Sequence, residues 1–333
     1  MKRHLKYLQG IVLRLLISGL LGFSQIPTSG QEASVFSNYY LSPFIVNPAF
    51  TGSSYYPQAV LSTRKQWVGI PDSPGTILLS GNYRIGTYDF YDPKGFVNKG
   101  KLKLKDRLGL GLAIYRDKNG PSENTGGILS YAYHSQITSK DELSFGMSVI
   151  GTYYSFKSSI LEPDQPDDPY LLNGNDNKFR LNFNLGALYH SSTYFVGISA
   201  AKIFPDHYSV NDPVEMQPSY FLMGGYKYKI NNVFSIEPSL TVKKLGSEGI
   251  SMDVFSKLYV KRINWIALSY STTGKINFLF GLHLIKMVYA GYAYEYSLSK
   301  ISKYTYGTHE IYLGINLGLF AADGIGRSTG KKL

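Results

Sequence analysis

The chain has 333 residues, a formal charge of +11, no cysteine, and a heavy load of tyrosine (29), phenylalanine (18) and glycine (34). The missing cysteine excludes disulfides, thiolate metal sites, cysteine nucleophiles and a lipid anchor on an N-terminal cysteine. The charge does not amount to a nucleic-acid surface, because Lys2, Arg3, Lys6 and Arg14 belong to a leader and the other cations are spread thinly, with no basic helix to gather them.

Residues 1–30 read as a signal peptide. A basic stretch to Arg14 precedes the apolar run Leu15–Phe23, which falls well short of the roughly 20 residues that a helix needs to span a bilayer. Cleavage after Ser24 or after Gly30 would leave a mature chain outside the cytoplasm. Residues 31–57 form an irregular segment, since Pro43, Pro48 and Gly52 interrupt any regular element. Its many aromatics are unlike a disordered linker, and the segment is expected to pack on or in the folded body that follows.

From residue 58 to residue 320 the pattern has a period of two. The stretch Gly307–Phe320 is the clearest case: Ile311, Leu313, Ile315, Leu317 and Leu319 share one parity, and Glu310, Tyr312, Gly314, Asn316 and Gly318 the other. Large aliphatics on one face with glycines, an amide and an acid on the other suit a strand with lipid outside and a crowded polar lumen inside. The same alternation runs through strands Gln58–Gln66 and Thr76–Ile85, through Leu108–Tyr115, and through Phe179–His190, where Phe179, Leu181, Phe183 and Leu185 oppose Arg180, Asn182 and Asn184. About 14 such strands can be followed. The fold class is therefore all-β, a single transmembrane antiparallel β-barrel, followed by a basic C-terminal tail, residues 321–333. Its end, with Tyr312, Gly314, Leu317 and Leu319, also resembles the C-terminal signal read by the outer-membrane assembly machinery.

Connection lengths predict the orientation. Turns at Ser139–Asp141, Ser191–Ser192, Asn231–Asn232, Lys261–Arg262 and Ile285–Lys286 follow even strands, whereas the long connections Lys157–Asn177 and Phe204–Glu215 follow odd ones. Both chain ends and the short turns then lie in the periplasm and the long loops outside. Gly86–Lys105, after the second strand, is a long exception and reads as a periplasmic insertion that could dock a partner.

Catalytic chemistry is absent from the pattern. The six histidines show no HExxH spacing, and no GxSxG, phosphate loop or dinucleotide fingerprint occurs. The acidic stretch Pro163–Pro169 lacks the spacing of a calcium loop. Glu310 faces inward by parity, where Lys227, Lys229, Lys243 and Arg180 could pair with it, so Glu310 and its neighbour His309 are assigned to a lumen salt-bridge network instead of acid/base work. No cofactor is expected. Tyrosines at strand ends, such as Tyr115, Tyr153, Tyr189, Tyr228 and Tyr296, read as interfacial girdles.

Several stretches, in order along the chain, resemble one family: FSNYYLSPFIVNPAF (36–50), TGS (51–53), RKQWVGIPDSPGT (64–76), LSYAYH (129–134), NFNLGALY (182–189), GYAYEYSLS (291–299) and YGTHEIYLG (306–314). The chain is similar to the PorP/SprF-type outer-membrane proteins of the type IX secretion and gliding system of Bacteroidetes. The resemblance implies a non-enzymatic component of the cell outer membrane, a docking platform whose partners are outer-membrane lipid and either periplasmic secretion-apparatus proteins or a cognate secreted surface adhesin. Asn47, Pro48, Arg64, Gln66 and Trp67 are expected to lock the N-terminal segment onto the barrel, and Gly307, His309 and Glu310 to serve as further structural or partner contacts. A passive porin for small solutes is the alternative, and it would need an open lumen.

Overall fold

The structure is a computed structural model that describes residues 39–54, 57–85, 107–138, 141–157, 176–204, 217–246, 248–261, 264–285 and 287–316. The expected signal peptide, the Gly86–Lys105 insertion, most of the 157–177 and 204–215 loops, and the chain from Leu317 onward lie outside the described residues. The strands of the first half are β1 (Gln58–Lys65), β2 (Gly75–Arg84), β3 (Leu108–Asn119), β4 (Ser122–Gln136), β5 (Glu142–Phe156), β6 (Asp176–His190) and β7 (Tyr194–Ala201). Those of the second half are β8 (Ser219–Tyr226), β9 (Tyr228–Lys229), β10 (Phe234–Lys244), β11 (Ile250–Val260), β12 (Asn264–Ser271), β13 (Lys275–His283), β14 (Val288–Ser297) and β15 (Thr308–Asn316). β8 and β9 are two pieces of one strand interrupted at Lys227, and both pair with β10. Each strand pairs antiparallel with its sequence neighbours, and β15 pairs with β1, so the sheet closes into a cylinder of fourteen strands. Closure removes every open edge, which a spanning sheet requires in lipid.

The wall follows the parity of the sequence. Leu313, Leu185 and Phe278 are 47%, 53% and 54% exposed on the outer face. Glu310, Tyr312, Asn182 and Asn184 point into the lumen and are buried. Described turns after even strands are short, with residues 191–193 and 230–233 each joining two strands, as the connection lengths predict. Among the described residues no helix is long and apolar enough to cross a membrane. One feature departs from the sequence reading. The lumen is not simply polar, for Ala113, Ile128 and Ile150 form a dry cluster there with Phe44 and Ile45. The reason is the N-terminal segment, which carries its own apolar side chains into the cylinder and gives inward aliphatics something to pack against.

Candidate functional site: a plugged lumen and a braced outer loop pair

Residues 39–54 cross the interior of the barrel. The segment folds as two short 3-10 turns, Pro43–Ile45 and Pro48–Phe50, each begun by a proline whose fixed φ and missing N–H suit a first helical position. Asn47 joins the turns to the wall. Its Oδ1 accepts the Ala49 N–H at 3.0 Å, and its Nδ2 donates to the carbonyls of Ala187 (3.3 Å) and Ile198 (3.4 Å) on β6 and β7. This approach needs bare backbone on the wall: a Cβ at Gly186 would collide with Asn47, and one at Gly146 with Pro48 and Ala49.

Further bonds tie the segment around the circumference. Tyr39 donates to Asp253 on β11 (2.9 Å), and Tyr40 stacks on Phe255 with centroids 4.2 Å apart. Ser42 meets Ser80 on β2 at 2.7 Å, Thr51 meets Ser130 on β4 at 2.7 Å, and Ser199 on β7 donates to the Val46 carbonyl at 2.9 Å. Opposite walls are thereby bonded to one short piece of chain, which acts as a brace and fills the lumen.

Two buried charge groups flank the brace. At the end with the short turns, Arg84 of β2 reaches past two strands to Glu142 of β5 and holds both carboxylate oxygens, at 2.8 and 3.2 Å. His134 sits beside them and takes the Thr51 carbonyl at Nε2 (2.8 Å) and Ser144 at Nδ1 (2.7 Å). A carbonyl can only accept, so Nε2 carries a proton, and in the neutral ring Nδ1 accepts from the Ser144 hydroxyl. His134, Glu142 and His190 lie close enough to form a metal-ligand set. Their engagement argues against that use, since a cation would have to displace Arg84 from Glu142 and break both bonds of His134. At the other end, Arg64 lies between Glu295 (2.9 Å) and Glu310 (3.7 Å), while Lys243 pairs with Asp253 (2.9 Å).

The residues singled out in the sequence divide into four sets. Asn47 and Pro48 seat the brace. Arg64 and Glu310 form the ion pair just described, so the partner of Glu310 is Arg64, whereas Lys243 is paired elsewhere. His309 does not join the lumen network. Its parity is outward, and it sits on the outer wall with Nδ1 2.6 Å from the Tyr292 hydroxyl, beside the Tyr294 ring.

Gln66, Trp67 and Gly307 belong to two loops at the long-loop end, 66–74 and 298–307. Val68 donates to the Gly307 carbonyl (2.9 Å) and Tyr306 donates back to Val68 (2.7 Å), which zips the loops together. Trp67 and Asp72 hold left-handed backbone (φ 47° and 50°), as does Gly307 (φ 94°). For non-glycine residues that conformation persists only where surrounding bonds over-determine it. Here the zipper and the Gln66 N–H bond to Pro74 (2.8 Å) do so. The pair presents Tyr304 and Tyr306, 75% and 77% exposed, on a rigid support. The Gln66 N–H bonds to Pro74 and the Trp67 N–H to the Thr308 hydroxyl. Sequence reasoning missed Arg84, Glu142 and His134, although their inward parity was available.

A closed fourteen-strand cylinder with an aliphatic outer belt and a charged, filled lumen defines an outer-membrane β-barrel. The family model described as "Type IX secretion system membrane protein PorP/SprF" matches residues 28–315, and the chain belongs to that family. No curated protein matches the sequence. Among solved structures it is similar to the CymD monoaromatic hydrocarbon channel (11% identity, TM-score 0.47, covering 82% of this chain and 91% of that one). It is also similar to the Ralstonia pickettii toluene transporter TbuX (11%, 0.45, 81% and 90%) and to the Acinetobacter baumannii outer membrane protein Omp33 (12%, 0.44, 79% and 99%).

Proposed function

We propose that this member of the type IX secretion family is a non-enzymatic docking platform in the outer membrane, which holds periplasmic secretion components or a secreted surface protein. The observation that carries the reading is the brace: a barrel whose lumen is crossed by residues 39–54, bonded to β2, β4, β6, β7 and β11, is built to keep a fixed shape. A conduit for solutes needs the reverse. The zipped loop pair around Trp67 and Gly307 supports the same reading, because a rigid exposed aromatic surface loses little entropy on binding. In planar bilayers the purified protein is expected to show no stable open-channel current. A steady conducting state in every inserted molecule would overturn the platform and favour the porin.

A further inference from the structure

The outer wall of β1–β4 carries two features that lie in line along the strands. The first is a groove. Most outward positions hold large side chains, but Ala59 and Gly81 face each other across β1 and β2. Leu79, Tyr83, Leu112, Ile114 and Leu129 wall the gap into a cavity of about 410 Å³. A second small pair, Gly127 and Gly151, faces across β4 and β5, and there the Phe179 ring lies over Gly151 and fills the space. At Gly81 the nearest atoms to an added side chain are the Gln58 carbonyl and Ala59, and no ring covers them.

The second feature is a cluster of cations where the aliphatic rows end. Leu61, Leu79 and Ile114 share one row across β1, β2 and β3. The next outward row toward the long loops holds Arg116, and the one after it holds Lys118 opposite Glu123. Arg116 grips Glu123 at 2.6 and 3.0 Å, and Lys118 and Lys157 both act on the same carboxylate. All three cations are exposed. Three positive groups around one carboxylate can compensate about two further negative charges, which is the charge of a phosphate monoester near neutral pH. Lys118 and Leu112 are six residues apart on β3. At about 3.4 Å per residue and a tilt of about 40°, the groove lies about 15 Å deeper than the cations, or about half of a hydrocarbon core of about 30 Å. That is the reach of one acyl chain from its headgroup.

We propose that this wall binds one lipid with a phosphate-monoester headgroup, the phosphate held by Arg116, Lys118 and Lys157 and an acyl chain seated over Ala59 and Gly81. The inference does not rest on the docking role. Monophosphoryl lipid A, titrated into the full-length protein in non-ionic detergent and counted by native mass spectrometry, tests it. The R116Q/K118Q/K157Q variant is expected to bind about 100-fold more weakly. Gly81→Phe, which fills the groove, is expected to lose about tenfold, with heat-modifiable electrophoretic mobility reporting that both barrels are folded. Should the triple variant fail to fold, Lys118→Gln alone is expected to weaken binding about fivefold. Phosphatidylglycerol, a singly charged diester, is expected to bind more weakly than the monoester. Unchanged affinity in the charge variants or in Gly81→Phe, or phosphatidylglycerol binding as tightly as the monoester, overturns the assignment.

Discussion

Gly146→Val is expected to turn a sealed barrel into a conducting one. The Gly146 backbone lies directly beneath Pro48 and Ala49, and a valine there cannot share the space with them. The wall has little freedom to retreat, because residues 142–156 of β5 are paired along their length with β4 on one side and β6 on the other. The brace has more freedom, being held by single hydrogen bonds at scattered points. The overpacking cost of about 1–3 kcal/mol therefore falls on the brace, which moves. An eight-stranded barrel is filled by its own side chains and one of sixteen or more leaves an aqueous channel, so a cylinder of fourteen strands needs its internal segment to stay closed. Planar-bilayer recordings should show steps for Gly146→Val and none for the parent. Gly127→Val is the matched control: it faces outward, where a Cβ meets only the Ala113 carbonyl at 3.7 Å, and it should remain silent. A silent Gly146→Val that retains its fold would mean that the brace does not seal the lumen.

The wall was legible because its signal is local. In a pleated strand each side chain announces its face by parity alone, and closure around lipid puts large apolar side chains at most outward positions from Leu61 to Ile315. What parity withholds is the partner across the lumen. Glu310 reads as an inward acid, but its cation is set by the seam where β15 closes on β1, in a register that places Glu310 opposite Arg64. No local pattern contains that pairing. Arg84 is a second case. Ile77, Leu79 and Tyr83 are outward, so Arg84 must be inward, yet an arginine just before a long connection also reads as a rim cation in water. Only the chain's return to Glu142, 58 residues later, gives it a buried partner. The prolines and aromatics of the N-terminal segment showed an ordered, non-regular stretch; that it lies inside the cylinder is written in the glycines of the facing strands, which become intelligible once Gly146 and Gly186 are seen against Pro48 and Asn47.

Arg84→Met is expected to cost about 3–5 kcal/mol, the penalty for leaving one partner of a buried ion pair uncompensated. Arg84 has 0% exposure and Glu142 4%, so the carboxylate is left buried without its counter-charge once the guanidinium is gone. The methionine replaces the bulk of the arginine stem, so the loss reports the stranded charge and not a cavity. His190, with Nε2 3.6 Å from Glu142, offers only a weaker substitute. Pairing Arg84→Met with Glu142→Leu removes both charges, and the double variant should recover most of the loss, since an apolar pair of similar volume is often neutral relative to a buried ion pair. Guanidinium unfolding in lipid vesicles, followed by the fluorescence of the two tryptophans, gives both numbers. The same pair should govern the brace. His134 holds Thr51 through a bond oriented by Ser144, and Ser144 also lies 3.4 Å from His190, so disorder at Glu142 passes through His190, Ser144 and His134 to the N-terminal segment. Arg84→Met is thus expected to conduct intermittently as well as to unfold early, whereas Arg116→Met, on the outer face and 59% exposed, should do neither. If Arg84→Met matched Arg116→Met in stability, the buried pair would have no part in holding the cylinder and its brace together.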